Sequence, residues 1–192
     1  MNNPSPEVLS LLEYRLRAVA IGHRALRQSM DWDGDDVPSI KIFFDEKQVI
    51  EGKATAFTNG ATEAAIVHCR AILEFLGLGG KNQTKLVERV SRNKSDDICI
   101  ESFPGLSKLT IARAVRPYPG SKADAGASLA YVVYLANKGL AHTTSSFTKH
   151  DRGSELLEIA FRGVPVLLIN NFYVPLGIKP PNYEVQSRNP HA

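Results

Sequence analysis

Apolar positions recur in steps of three and four over four stretches of the chain, and each stretch predicts a helix. In the first, Leu9, Leu12, Leu16, Val19, His23, Leu26 and Met30 form one stripe, with His23 its single polar member. Ser5 suits the N-cap, Pro6 the first helical position and Glu7 the positive end of the dipole. Arg15, Arg17, Arg24 and Arg27 lie off the stripe. The second helix runs from about Ala54 to Leu76 on Ala54, Phe57, Ala61, Ala64, His68, Ala71 and Phe75, and stops at Gly77, Gly79 and Gly80. Its many alanines allow a neighbour to approach closely. Arg70 and Glu74 stand four residues apart and predict an ion pair on its surface. The third helix starts near Ser121, with Asp124 in its first turn, and runs to about His142. The fourth begins near Gly153 and carries Leu156 through Phe172, with Pro165 expected to kink or split it.

The segments between are less regular. Ile40 to Phe44 and Gln48 to Ile50 flank Asp45-Glu46-Lys47 and predict a small hairpin or irregular structure. Asp31 to Pro38 is acidic, but the glycine and glutamate of a calcium loop are missing from their places, so a solvated turn is expected. Lys81, Lys85, Arg89 and Arg92 would share one face of a short helix over Thr84 to Ser91, with Leu86, Val87 and Val90 facing the core. Leu106 to Gly120 reads as a long connection. Together these elements predict a mainly all-α fold, an antiparallel four-helix bundle with long inter-helix loops. Residues 1–175 form the expected single domain, and 176–192 a proline-containing tail.

Composition alters this picture little. A chain of 192 residues with 43% hydrophobic content supports one core, and a formal charge of +3 makes no case for nucleic acid by itself. Cys69 and Cys99 lack a partner motif and sit among apolar residues, as reduced thiols do. No basic-then-apolar leader is visible, and the apolar run Leu129 to Ala136 falls far short of the roughly 20 residues of a membrane span. A cytoplasmic protein without a membrane partner is the expectation.

Chemistry concentrates at the end of the third helix, in Asn137-Lys138-Gly139-Leu140-Ala141-His142-Thr143-Thr144. Lys138 and His142 are four residues apart on one helical face; the cation lowers the histidine pKa while the helix C-terminus raises it. Lys85, Arg89 and Arg92, with Lys81, offer a basic face that is either a phosphate contact or simply solvated. His23, His68 and His142 come from three helices, but no H-x-x-x-H or E-x-x-H spacing accompanies them, so no metal site is assigned. Glycine-rich phosphate loops and nucleophile elbows are absent from the sequence.

The stretch Asn137 to Thr143, with His68 to Leu76 on the second helix and Asp96-Asp97-Ile98 between them, resembles bacterial helical proteins related to the HEPN superfamily. The resemblance covers about Ala61 to Thr144 and implies a four-helix bundle that is often a homodimer. It also implies RNA as partner, no cofactor, and an antitoxin or other protein partner in a defence or toxin–antitoxin system. By that likeness His142 would move a proton, Lys138 would neutralise phosphate, Asn137 would position it, and Arg70 would assist across the bundle. The family motif has arginine where this chain has Asn137, and Lys138 lacks arginine's planar fork. The alternative is a non-catalytic dimerisation or protein-interaction module.

Overall fold

The protein, seen in a computed structural model, is mostly helical with two small antiparallel hairpins; residues 4–32, 36–89, 97–140 and 151–184 are described. Helix α1 spans Pro6–Met30, and the Ser5 hydroxyl accepts from the Val8 amide as its cap. Strands β1 (Ser39–Phe44) and β2 (Lys47–Lys53) pair around Asp45, whose φ of 53° is a left-handed value that a short polar side chain tolerates. Helix α2 spans Thr55–Phe75, one residue inside each expected end.

The expected short helix near Thr84 is not formed. Strand β3 (Leu78–Gly80) instead pairs with β4 (Leu86–Glu88), closed by Lys81 N–H donating to the Lys85 carbonyl at 2.9 Å. A spacing of four residues returns to the same side of a strand as readily as to that of a helix, so Lys85 and Arg89 satisfied both patterns. Asn82 decided the outcome, because its side-chain oxygen accepts from the Thr84 and Lys85 amides and builds a turn. The 106–120 connection likewise holds a short helix, α3 (Ile111–Val115).

Helix α4 (Lys122–Tyr134) begins at Ser121, whose hydroxyl accepts from two amides, and passes into a π-helical turn over Leu135–Gly139. Helix α5 (Gly153–Leu168) runs through Pro165 without splitting and ends in a second π turn, Ile169–Tyr173. The stretch Gly153–Tyr173 is long and apolar enough to cross a membrane, yet 61% of its apolar 18-residue window is buried inside this fold. It is the helix on which the others pack, with Val164, Leu168 and Phe172 fully enclosed. Phe75 and Phe103 stand against Phe172 at ring separations of 5.2 and 5.1 Å. From the tail, Leu176, Ile178 and Tyr183 also lie against the core.

Helix α1 meets α2 at its closest point through Gly22. A Cβ there would lie 2.3 Å from the Ala65 Cβ and 2.6 Å from the Ala61 carbonyl oxygen. The approach anticipated from the alanines of α2 is thus completed by the one residue of α1 that has no side chain. Gly22→Ala should therefore lower stability by about 1–3 kcal/mol, against the usual helical preference for alanine, because backbone cannot yield as a side-chain tip can. Gly60 on α2 has nothing within 4 Å of its own virtual Cβ. Gly60→Ala should raise stability by about 0.5–1 kcal/mol. Urea denaturation of the two variants, read for opposite signs, checks both.

Candidate functional site

Two turns from Gly22 toward the start of α1, Arg15 faces the C-terminal half of α2. Its Nη1 lies 3.3 Å from His68 Nδ1. A guanidinium only donates, so Nδ1 must be the acceptor and the His68 proton sits on Nε2. Burial, and then the Arg15 charge, hold the His68 pKa below its ordinary value. Burial also lowers that of Arg15, which nonetheless stays a cation, with Glu74 among the groups favouring its charge. The Tyr14 ring stands edge-on to His68, with centroids 5.0 Å apart, and remains 60% exposed.

Glu74 gathers the remaining cations. The Arg70 Nε donates to its Oε1 at 3.1 Å, the pair expected from sequence, and Arg89 Nη1 approaches Oε2 at 3.8 Å from the end of β4. Arg15, Glu74 and Arg89 line a half-open cleft of about 340 Å³ whose apolar floor includes Leu12, Ala71 and Phe75. Asp97, Ile98 and Cys99 close its far side. Arg15 and Arg89 thus line the cleft with Glu74 and Asp97, and Arg70 adds a cation on Glu74, so the group carries one net positive charge, with donors to spare on the planar forks.

The structure brings together some of the residues singled out from sequence and separates others. Arg70 and Arg89 converge with His68 to Leu76 and Asp97-Ile98. Lys85 is exposed in the β3–β4 turn. Asn137 is half-buried and Lys138 exposed, both on the π turn, where Leu140 N–H reaches back five residues to the Leu135 carbonyl at 2.9 Å. That wider turn departs from α-helical spacing over Leu135–Gly139, and the Lys138–His142 pairing read from the sequence extends outside the described residues. His142 and Arg92 lie outside the described residues. Among the described residues, no hydrogen bond or ion pair joins Asn137 or Lys138 to the arginine cleft.

Arg15 and Tyr14 were missed in the sequence because they lie off the apolar stripe of α1. The available signal was that Arg15 is half-buried only if α2 runs antiparallel beside it, so that His68 and Glu74 fall opposite. Cys69 is buried beneath the site and burial pushes its thiol far up, which makes it unreactive; Cys99 is half-buried, and both cysteines are free. Among the described residues no group of three histidines, cysteines or carboxylates could hold a metal ion. His23 instead approaches Glu158. No family model, curated protein or solved structure matches this chain.

The His68 geometry has a measurable consequence. Its pKa is lower folded than unfolded, so the unfolded chain binds more protons as the pH falls through the ordinary histidine range. The stabilisation held by neutral His68 is complete above that range and is lost below it. Thermal melts from about pH 7.5 to about pH 5.5 should show stability falling with acidification, and His68→Gln should flatten that slope. An unchanged slope in the variant would assign the effect to other groups.

Proposed function

We propose that this protein binds single-stranded RNA, with the cleft between α1, α2 and the β3–β4 hairpin receiving the phosphate backbone. The observation that carries this reading is that Arg70 and Arg89 both pair with Glu74 at the edge of an open cleft that Arg15, held on His68, also lines. Guanidinium forks match phosphate oxygens in pairs, and a carboxylate that only partly neutralises them holds them in place without cancelling them. Tyr14, exposed beside the cleft, supplies a ring face on which a base can stack. Double-stranded RNA hides its base faces, whereas a single strand offers them.

Fluorescence anisotropy with a labelled RNA oligonucleotide tests the reading. Binding should weaken steadily with added salt as displaced counterions return to the RNA. Arg15→Glu and Arg89→Glu should each reduce affinity by about tenfold or more, since each replaces an attraction with a repulsion. Salt-independent binding, or full affinity in both variants, would remove the cleft from consideration.

The likeness to HEPN proteins extends the proposal to an RNA-directed, metal-independent nuclease built on a four-helix bundle. In that mechanism the ribose 2′-hydroxyl attacks the adjacent phosphate, a 2′,3′-cyclic phosphate forms as the P–O5′ bond breaks, and His142 moves the hydroxyl proton to the departing 5′-oxygen, while Lys138 neutralises phosphate and Asn137 orients it. The π turn beneath Asn137 and Lys138 supports this assignment, since such turns recur at functional sites. Cleavage lost in His142→Ala with RNA binding intact is the expected outcome; full cleavage in that variant would overturn it. A second reading, a homodimerisation or antitoxin-binding module, is favoured by the exposed apolar side chains Leu11, Tyr14 and Ile21 of α1 and Phe57 and Val67 of α2. A stable dimer that neither binds nor cuts RNA would select it.

A further inference from the structure

A second collection of cations hangs from the other end of α1. His23 Nε2 lies 3.4 Å from Glu158 Oε1, and Arg27 Nη1 and Arg162 Nη1 each lie 3.6 Å from that same oxygen. A charge-assisted bond to a carboxylate closes to about 2.7–2.9 Å, so one oxygen shared three ways leaves every donor under-engaged. The Glu158 side chain is 16% exposed, whereas Arg27 and Arg162 are 65% and 66% exposed. Among the described residues neither guanidinium has another hydrogen-bond or ion-pair partner. Both line a groove of about 550 Å³ between α1 and α5, with Arg24 on the same rim.

The wall of that groove is apolar and contains Pro165, Val166 and Tyr183. Tyr183 comes from the tail, half-buried against the core, and is one of the residues lining the groove. The groove therefore pairs surplus guanidinium donors with an apolar wall. Glu184 is the carboxylate that lines it, against His23 and three arginines, while Glu158 holds the cations from outside the lining.

We propose that this groove binds a phosphate ester carried on a planar ring, of the size of a mononucleotide. Arg27 and Arg162 take the phosphate oxygens, and the ring lies along Val166 and Tyr183. Glu158 acts as the resident anion that pre-positions the cations and competes with the incoming phosphate. The chemistry is shared by a free nucleotide and by one nucleotide of a bound RNA chain, and variants separate the two.

Calorimetric titration of the full chain with adenosine 5′-monophosphate, uridine 5′-monophosphate and inorganic phosphate tests the site. Mononucleotides should bind more tightly than phosphate alone. Arg27→Glu combined with Arg162→Glu should weaken them by about tenfold or more, while Glu158→Gln should strengthen them several-fold by removing the competing charge. If the double variant does not fold, the Glu158→Gln gain alone decides, because a purely structural ion cluster predicts no gain. RNA affinity untouched by the double variant assigns the site to free nucleotide, and a parallel fall assigns it to the RNA chain. No binding of either mononucleotide, phosphate binding as tightly as they do, or affinities unchanged in the variants would overturn the proposal. Because Arg15 and Arg89 are unaltered, failure here is distinct from failure of the RNA cleft.

Discussion

The contact of Gly22 with Ala61 and Ala65 is the constraint on which the rest of the molecule depends. It brings two helix backbones together where any side chain would hold them apart, and it fixes their antiparallel register. Two turns before Gly22 on α1 and one turn past Ala65 on α2, Arg15 meets His68. Had the helices crossed one turn further along, Arg15 would face the apolar stretch around Ile72 and could not be accommodated. The same contact leaves the later turns of α1 free to address α5, where His23 and Arg27 find Glu158. Packing of small residues thus sets the position of charged ones.

Each of the two cation clusters is organised by a glutamate that is itself partly withdrawn from solvent. Glu74 makes one good hydrogen bond, from Arg70, and holds Arg89 at greater distance. Glu158 makes no close bond and holds His23 and two arginines loosely on one oxygen. A surface ion pair contributes little to stability, typically well under about 1 kcal/mol, so neither cluster is explained by what it adds to folding. What each does provide is a positive charge surplus at the edge of a concavity, where solvent screening is weaker than on a convex surface. The two clusters differ in their surroundings. Glu74 borders a cleft with Tyr14 standing outside it, whereas the cations held by Glu158 line a groove with an apolar wall.

The helices were legible because burial requires a stripe, and a stripe leaves a period in the sequence. Ser5, Ser121 and the Arg70–Glu74 pair are local features, and all three appear as read. The hairpin over 78–88 was not legible, because the spacing of its cations suits a strand as well as a helix and the deciding group, Asn82, acts through a turn. The cleft was half legible. Arg70, Glu74 and Asp97 could be picked out one by one, but Arg15 joins them only through the register of α1 on α2, a long-range fact with no signature in a single sequence. The stretch Asn137 to His142 drew attention as a helical cluster, and the π turn at its start is the kind of local departure that periodicity conceals.

His68 shows how such a register becomes chemistry. On α2 alone its ring would be an ordinary exposed histidine near its reference pKa. Placed beside Arg15, it is committed to one tautomer, with Nδ1 accepting and the proton on Nε2. An anion that draws Arg15 away removes both the bond and the nearby positive charge that disfavours protonation. The histidine then becomes more basic as the anion arrives, and its added proton further offsets the negative charge. If the cleft receives phosphate as proposed, binding there and proton uptake at His68 become two sides of one equilibrium, coupled through the Arg15–His68 contact rather than through the histidine alone.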